Sequence, residues 1–254
     1  MKPLIIANWK LNPSSLEEAK KLFGAIKRIV TQKSIHKSVE VVICPPFIYL
    51  PLLKGVTLGA QDTFWEEKGA FTGEVSPIQL KDLKVQYVII GHSERRKYFS
   101  ETDELINKKI KKALDAKLSV VLCVGETQEE RNVNKTQEVI ERQITEGLRG
   151  VSKLEIQNSK LAVAYEPVWA IGTGNSCSPD QTMSSILLIR KIISNLYNRQ
   201  LADEITILYG GSVTSKNSAQ YIQGSGANGL LVGGASLNAE EFEAIIKSVT
   251  NKTL

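Results

Sequence analysis

Short apolar runs rich in β-branched residues recur along the chain, separated by stretches of helical patterning, and this rhythm limits the fold more than any other feature. The runs are Leu4–Ala7, Val39–Ile43, Val56–Ala60, Tyr87–Ile90, Ser119–Val124, Leu161–Ala164, Ile205–Tyr209 and Gly229–Val232. Their apolar residues continue without strict polar alternation, which is the pattern of strands covered on both faces. Between most of them lie helical patterns. Ser14-Ser15-Leu16-Glu17-Glu18 caps a helix carrying Leu22, Phe23, Ile26, Ile29 and Val30. Ser100-Glu101-Thr102-Asp103-Glu104 opens another, and Ser178-Pro179-Asp180 a third, with Pro near its first turn. Thr214-Ser215-Lys216 and Asn238-Ala239-Glu240-Glu241 open the last two. Eight strands alternating with helices over 254 residues predict an α/β chain folded as a (β/α)8 barrel, eight parallel strands surrounded by helices, in a single domain spanning 1–254. The rival fold, an open doubly wound sheet, usually shows a glycine-rich turn after its first strand. Here that strand runs into Asn8-Trp9-Lys10.

Composition removes several function classes. The formal charge is +5, and its lysines are spread along helical patterns in alternation with Glu. That describes a solvated surface with weak steering of anionic substrates, and no dense basic cluster with interleaved aromatics points to nucleic acid. Cys44, Cys123 and Cys177 are odd in number with no close-spaced pair, which argues against a disulfide framework or a zinc site and favours a reducing cytosol. Cys44 and Cys123 sit in or beside apolar runs and read as small core residues. No signal-length segment forms before Asn8 and Lys10, and no run of about 18 apolar residues occurs later. A soluble, cytoplasmic protein with no membrane partner is expected. The segment Gln61–Pro77 carries Phe64, Trp65 and Phe71, too apolar for a solvated loop, so a partner subunit is its expected cover.

Chemistry collects just after the runs. Asn8 and Lys10 follow the first, Gly91 and His92 the fourth, Gly125 and Glu126 the fifth. Glu166 ends the sixth, Gly210-Gly211-Ser212 the seventh and Gly233-Gly234 the eighth. In a barrel all these ends share one mouth, where active sites sit. The two glycine loops let backbone N–H groups approach an anion, with Gly233-Gly234-Ala235-Ser236 at the start of a short helix. His92, followed by Ser93-Glu94-Arg95-Arg96, is either a satisfied structural group or an electrophile kept neutral by a helix N-terminus. His36, in the polar segment Lys33–Ser38, reads as a solvated loop residue. Lys10 taken alone reads as a surface lysine, and beside the other strand-end groups it offers an ammonium to developing negative charge. Glu94 and Glu126 read as partners for Arg or Lys at the barrel end.

The stretch Ala164-Tyr165-Glu166-Pro167-Val168-Trp169-Ala170-Ile171-Gly172-Thr173-Gly174 joins an apolar run to a carboxylate, a rigid Pro, an aromatic and two glycines. Pro167 biases Glu166 toward extended geometry and gives the segment from Val168 onward a stiff root. The expected device is a base attached to a flap that excludes water when shut.

With these residues assembled, the sequence resembles the triosephosphate isomerase family from end to end. The resemblance rests on Asn8-Trp9-Lys10-Leu11-Asn12, Gly69-Ala70-Phe71-Thr72-Gly73-Glu74, Gly91-His92-Ser93-Glu94-Arg95-Arg96, Leu122-Cys123-Val124-Gly125-Glu126, the Ala164–Gly174 stretch, Tyr209-Gly210-Gly211-Ser212-Val213 and Leu231-Val232-Gly233-Gly234-Ala235-Ser236-Leu237. It implies a TIM barrel that interconverts dihydroxyacetone phosphate and glyceraldehyde 3-phosphate through an enediolate, in glycolysis and gluconeogenesis. By the same resemblance Glu166 is the general base, His92 the neutral electrophile, and Asn8 and Lys10 substrate contacts. Gly172, Ser212, Gly233 and Gly234 hold the phosphate. No metal or organic cofactor is implied, and a homodimer forms through the Gln61–Pro77 loop. The alternative is a phosphate-binding barrel that acts on another phosphosugar or is retained as a binding protein. Two departures stand out: Asn175-Ser176-Cys177 where the family often has a Lys, a small polar residue and Ala, and Asn228 where it often has Asp. The first bears on the far hinge of the flap, the second on a local charge pair.

Overall fold

In the computed structural model, which describes residues 2–171 and 177–250, the eight runs form β1 (Leu4–Asn8), β2 (Glu40–Cys44), β3 (Thr57–Ala60), β4 (Tyr87–Ile90), β5 (Ser119–Val124), β6 (Leu161–Tyr165), β7 (Thr206–Tyr209) and β8 (Gly229–Val232). Each pairs in parallel with the next, and β8 closes on β1 through Leu4 opposite Gly229 and Ala7 opposite Val232. Strand β2 starts one residue late because the Val39 N–H is taken by the Ile35 carbonyl, as the end of a short helix, Lys33–Ser38. The reading of that segment as a loop is therefore corrected: His36 is exposed on a helix.

The strands are apolar throughout because their alternate residues serve two cores. Leu4, Ile6, Val42, Cys44, Tyr87, Ile89, Val121, Cys123, Ala162, Ala164, Leu208 and Leu231 fill the barrel interior. Their neighbours, among them Ile5, Ala7, Val88, Val120, Leu122, Val163 and Ile207, pack outward against the helices. This period of two carries on past the strands. Asn8, Gly91, Gly125, Glu166, Gly210 and Gly233 each stand two residues beyond the last interior residue of their strand. The interior column thus delivers polar groups and glycines to one mouth. Cys44 and Cys123 are part of that interior, where burial pushes both thiols far above their usual range and leaves them inert.

Helix starts follow local chemistry. The Ser15 hydroxyl accepts from Glu18 N–H ahead of Leu16–Val30, and Thr102 does the same for Asp103–Asp115. Ser178 and Gln181 form a reciprocal capping box at Pro179–Leu196, which fixes the chain just after Cys177. The segment Thr214–Lys216 does not open a helix. The Asn217 side chain takes the Thr214 N–H at 2.8 Å while the Thr214 carbonyl accepts from Ser218 N–H at 3.0 Å, so these residues form a preceding turn, and the helix itself runs from Ser218 to Gly224. At Asn228 the missing acid is replaced by an amide: Arg190 Nη2 donates to Asn228 Oδ1 at 2.8 Å, and Ile207 N–H donates to the same oxygen at 3.0 Å.

A buried charge cluster ties the start of the Gln61–Pro77 loop to the helix Asp103–Asp115. Lys109 Nζ lies 2.8 Å from Asp62 and also binds Glu101, while Arg95 reaches Asp62 at 2.9 Å and Glu101 at 2.5 Å. Burial, with Glu101 adding to it against the pull of Lys109 and Arg95, raises the Asp62 carboxyl from its ordinary 3.8 to about 6. The folded protein then holds this proton more tightly than the unfolded chain. The contribution is full below the unfolded value and is lost as pH rises from about 4 through about 6. Asp62→Asn should therefore gain in urea midpoint relative to the unaltered protein between pH 4.5 and 6.5. A difference independent of pH would refute this.

Candidate active site

The mouth at the carboxyl ends of the strands holds a cavity of about 610 Å³ bordered by Asn8, Lys10, His92, Glu166, Ser212, Gly233 and Gly234, among others. These seven residues, singled out in the sequence after five different strands, meet there. Gly172 and the rest of the Gly172–Ser176 segment lie outside the described residues.

Glu166 is 2% exposed, so its carboxylate is set in a low-dielectric wall. Its Oε2 accepts from Ser93 N–H at 3.0 Å. Its Oε1 lies 3.2 Å from His92 Nε2 but off the line a hydrogen bond needs, and among the described residues it has no hydrogen-bond donor. One oxygen is thus held and the other is left without a hydrogen bond among the described residues. His92 is itself the cap of the helix Ser93–Phe99: its Nδ1 accepts from Glu94 N–H at 3.2 Å. An acceptor at Nδ1 must carry a lone pair, so the ring is neutral and its proton is on Nε2. A neutral imidazole in this position can donate to an oxygen in the cavity.

Lys10 adopts a left-handed backbone (φ 53), which a non-glycine residue holds only when its surroundings require it. Those surroundings are visible. Lys10 N–H donates to Asn8 Oδ1 at 3.1 Å, and Gln61 Nε2 donates to the carbonyls of Lys10 and Cys44, both at 2.9 Å. The ammonium pairs with Glu94 at 2.5 Å, and its stem passes Gly233 so closely that a β-carbon there would lie 3.2 Å from Lys10 Cε. Gln61 and Ser93 escaped the sequence reading. Gln61 binds remote backbone carbonyls and Ser93 gives its own backbone N–H to a remote side chain, and nothing in their spacing signals that.

The glycine loops present backbone to the cavity. Gly234–Leu237 forms a short 3-10 turn whose Ser236 hydroxyl and N–H both bind the Gly233 carbonyl. A β-carbon at Gly234 would meet open space, so a ligand can approach that backbone. In the neighbouring loop after β7, Asn217 Nδ2 holds the Ser212 carbonyl at 3.0 Å.

The segment that follows β6 is anchored just beyond the end of β5. Glu126 is fully buried, and it accepts from Tyr165 Oη at 3.2 Å, Trp169 Nε1 at 2.9 Å and Arg131 Nη1 at 3.4 Å. Arg131 also stacks over the Trp169 ring at 4.2 Å. At the far end Cys177 is buried and its carbonyl accepts from Tyr221 Oη at 2.8 Å. Among the described residues no three His, Cys, Asp or Glu side chains converge as metal ligands.

Comparison with known proteins agrees with this geometry. The family model described as triosephosphate isomerase matches residues 3–249. A triosephosphate isomerase of Dictyoglomus thermophilum is 48% identical over 251 residues, covering 96% of this chain and 98% of that protein. One from Carboxydothermus hydrogenoformans is 46% identical, with 97% and 98% covered. One from Clostridium tetani is 43% identical, with 96% of each covered.

Proposed function

The chain belongs to the triosephosphate isomerase family, and from that premise we propose that Glu166, His92 and Lys10 carry the interconversion of dihydroxyacetone phosphate and glyceraldehyde 3-phosphate. The observation behind this reading is a buried carboxylate, a neutral imidazole and an ammonium facing one cavity that also has two glycine loops. The loops after β7 and β8 bind the phosphate through Ser212, Gly233 and Gly234, with Gly172 closing from the flap. Asn8 and Lys10 orient the carbon–oxygen end. Glu166 leaves Ser93 N–H, removes the proton from the carbon beside the carbonyl and returns it to the neighbouring carbon. Meanwhile His92 Nε2–H bonds the carbonyl oxygen on which charge develops, the proton of the neighbouring hydroxyl passes to that oxygen by way of His92 as the second carbonyl forms, and Lys10 offsets the charge on the two oxygens. Closure of the flap keeps water from the enediolate and so limits loss of phosphate. A barrel retained only for binding would need neither the buried base nor the electrophile opposite it. The test is an assay of the purified chain with each triose phosphate, and no turnover by folded protein would refute the assignment.

The assembly proposed is a homodimer through the Gln61–Pro77 loop. Within the chain Phe64 packs on Trp65 and Phe71 with ring centroids 3.9 and 4.8 Å apart, so part of the loop's apolar content is self-covered. Residues 66–74 remain exposed, and so do Leu11 beside the cavity and Phe99 over Arg95. A second copy covering these groups accounts for them. Phe71→Asp should weaken dimerisation by about 2 kcal/mol, roughly 30-fold in Kd, read from mass in solution across a dilution series. A monomeric unaltered protein at micromolar concentration would refute the dimer. We place this one-domain enzyme in the cytoplasm and in glycolysis and gluconeogenesis, a setting that suits three unpaired, buried cysteines. No helix among the described residues is long and apolar enough to cross a membrane.

A further inference from the structure

Strands β4 and β5 pair as far as Ile90 opposite Leu122, after which Gly91 (φ 76) turns the chain away to carry His92. The end of β5 therefore loses its neighbour on that side while keeping β6 on the other. In a parallel ladder the N–H and C=O of one residue point to the same side, and successive residues alternate. The Val124 and Glu126 carbonyls face β6, where they accept from Glu166 N–H at 2.7 Å and Val168 N–H at 3.0 Å. Cys123 and Gly125 face the gap. Arg96 covers part of it, donating to the Gly91 carbonyl at 2.9 Å and the Cys123 carbonyl at 3.4 Å.

Gln143 covers the rest. It lies on the helix Thr136–Gly147 and is 4% exposed. Its Oε1 accepts from Gly125 N–H at 2.8 Å, and its Nε2 donates to the Gly125 carbonyl at 3.2 Å. A primary amide has the same donor and acceptor pair as a peptide, so this side chain stands in for one residue of the departed strand. The backbone it holds lies directly against the proposed base: a β-carbon at Gly125 would lie 1.8 Å from the Glu166 carbonyl oxygen. The next residue, Glu126, anchors Tyr165 and Trp169 on either side of Glu166.

We infer that Gln143 is a positioning residue for the isomerisation, fixing the Gly125–Glu126 backbone against which Glu166 and the flap root are set. This rests on the reading of Glu166 as the base. A buried group that only filled space would be replaceable by an apolar side chain of equal length. Gln143→Met keeps that length and removes both hydrogen bonds. The expected result is a fall in kcat of about 10- to 100-fold, as misplacement of a reacting group by a fraction of an ångström to about 1 Å produces, with KM changed less than about threefold. Because proton abstraction is the step slowed, the primary isotope effect on kcat/KM with carbon-deuterated substrate should rise above that of the unaltered enzyme. A purely structural role would lower the thermal midpoint and leave the isotope effect where it was. If Gln143→Met does not fold, Gln143→Glu is measured instead. It retains an acceptor for Gly125 N–H, and the same signature is expected with a smaller fall in kcat. Unaltered kcat and isotope effect in the folded variant would overturn the inference, as would a rise in KM alone. Glu166→Gln run in parallel separates the two readings: if it stays active the base assignment fails, and if it is inactive while Gln143→Met is normal only the role of Gln143 fails.

Discussion

Glu166→Gln should lower kcat by about 10²- to 10⁴-fold in both directions while KM moves only a few-fold. The substitution is nearly isosteric, and its amide oxygen can still accept from Ser93 N–H, as Glu166 Oε2 does at 3.0 Å. The fold around residue 166 therefore has no reason to change. Basicity is the property that disappears. The carbon-bound proton of the substrate then has no carboxylate to take it, and the loss corresponds to about 3–5 kcal/mol of barrel-mouth chemistry. On the proposed reading the phosphate is held elsewhere, by the loops that present Ser212, Gly233 and Gly234 to the cavity, so an inorganic phosphate titration should give nearly the same Kd for both proteins. Steady-state rates with each triose phosphate, beside that titration, check the claim. A variant within a few-fold of the unaltered kcat would place the base on another residue.

The barrel is legible in the sequence because burial on both faces leaves a trace that depends on no distant residue. Tyr87–Ile90, Ser119–Val124 and Gly229–Val232 have the same bounds as apolar runs and as strands. Short helices leave less trace. Gln128–Asn132, Lys153–Ser159 and Arg199–Glu204 are two turns or less, where caps and tertiary packing outweigh propensity. At Thr214–Lys216 cap-like residues form a turn that leads into the helix, whose regular span begins only at Ser218. The site divides in the same way. Glu166, His92 and Lys10 stand at strand ends, and a side chain's position along a strand is a local property. Gln61, Ser93 and Gln143 act through bonds to groups 17 or more residues away. Their value exists only once β4 and β5 diverge and Lys10 takes its left-handed turn. Glu94 and Glu126 do find the kind of partner expected of them, a Lys and an Arg. Charge balance at a crowded mouth can be anticipated without knowing its geometry.

Two glycines with almost the same steric constraint should fail in different ways when changed to alanine. A β-carbon at Gly229 would lie 1.9 Å from the Leu4 carbonyl oxygen, and one at Gly125 would lie 1.8 Å from that of Glu166. In both cases the obstacle is backbone, so relief takes a strand displacement of about 1 Å or more to reach the 3.0 Å limit of real contacts. Gly229 sits where β8 pairs with the first residue of β1, at the seam that closes the barrel and at the end remote from the cavity. Displacement there weakens closure, and Gly229→Ala should cost about 3 kcal/mol or more in urea unfolding, at the upper end of overpacking effects. The protein that does fold should keep a kcat near normal, because the opposite end of the barrel carries stability more than chemistry. Gly125 sits at the other end, pinned by Gln143 on one side and pressed on Glu166 on the other. Its displacement moves the proposed base, so Gly125→Ala should lose about 100-fold in kcat on top of any loss of stability. The comparison is made on kcat per folded chain against the unfolding midpoint for each variant. Equal losses of both quantities in the two proteins would mean that β5 and β6 transmit the strain evenly, and that the mouth has no special sensitivity at Gly125.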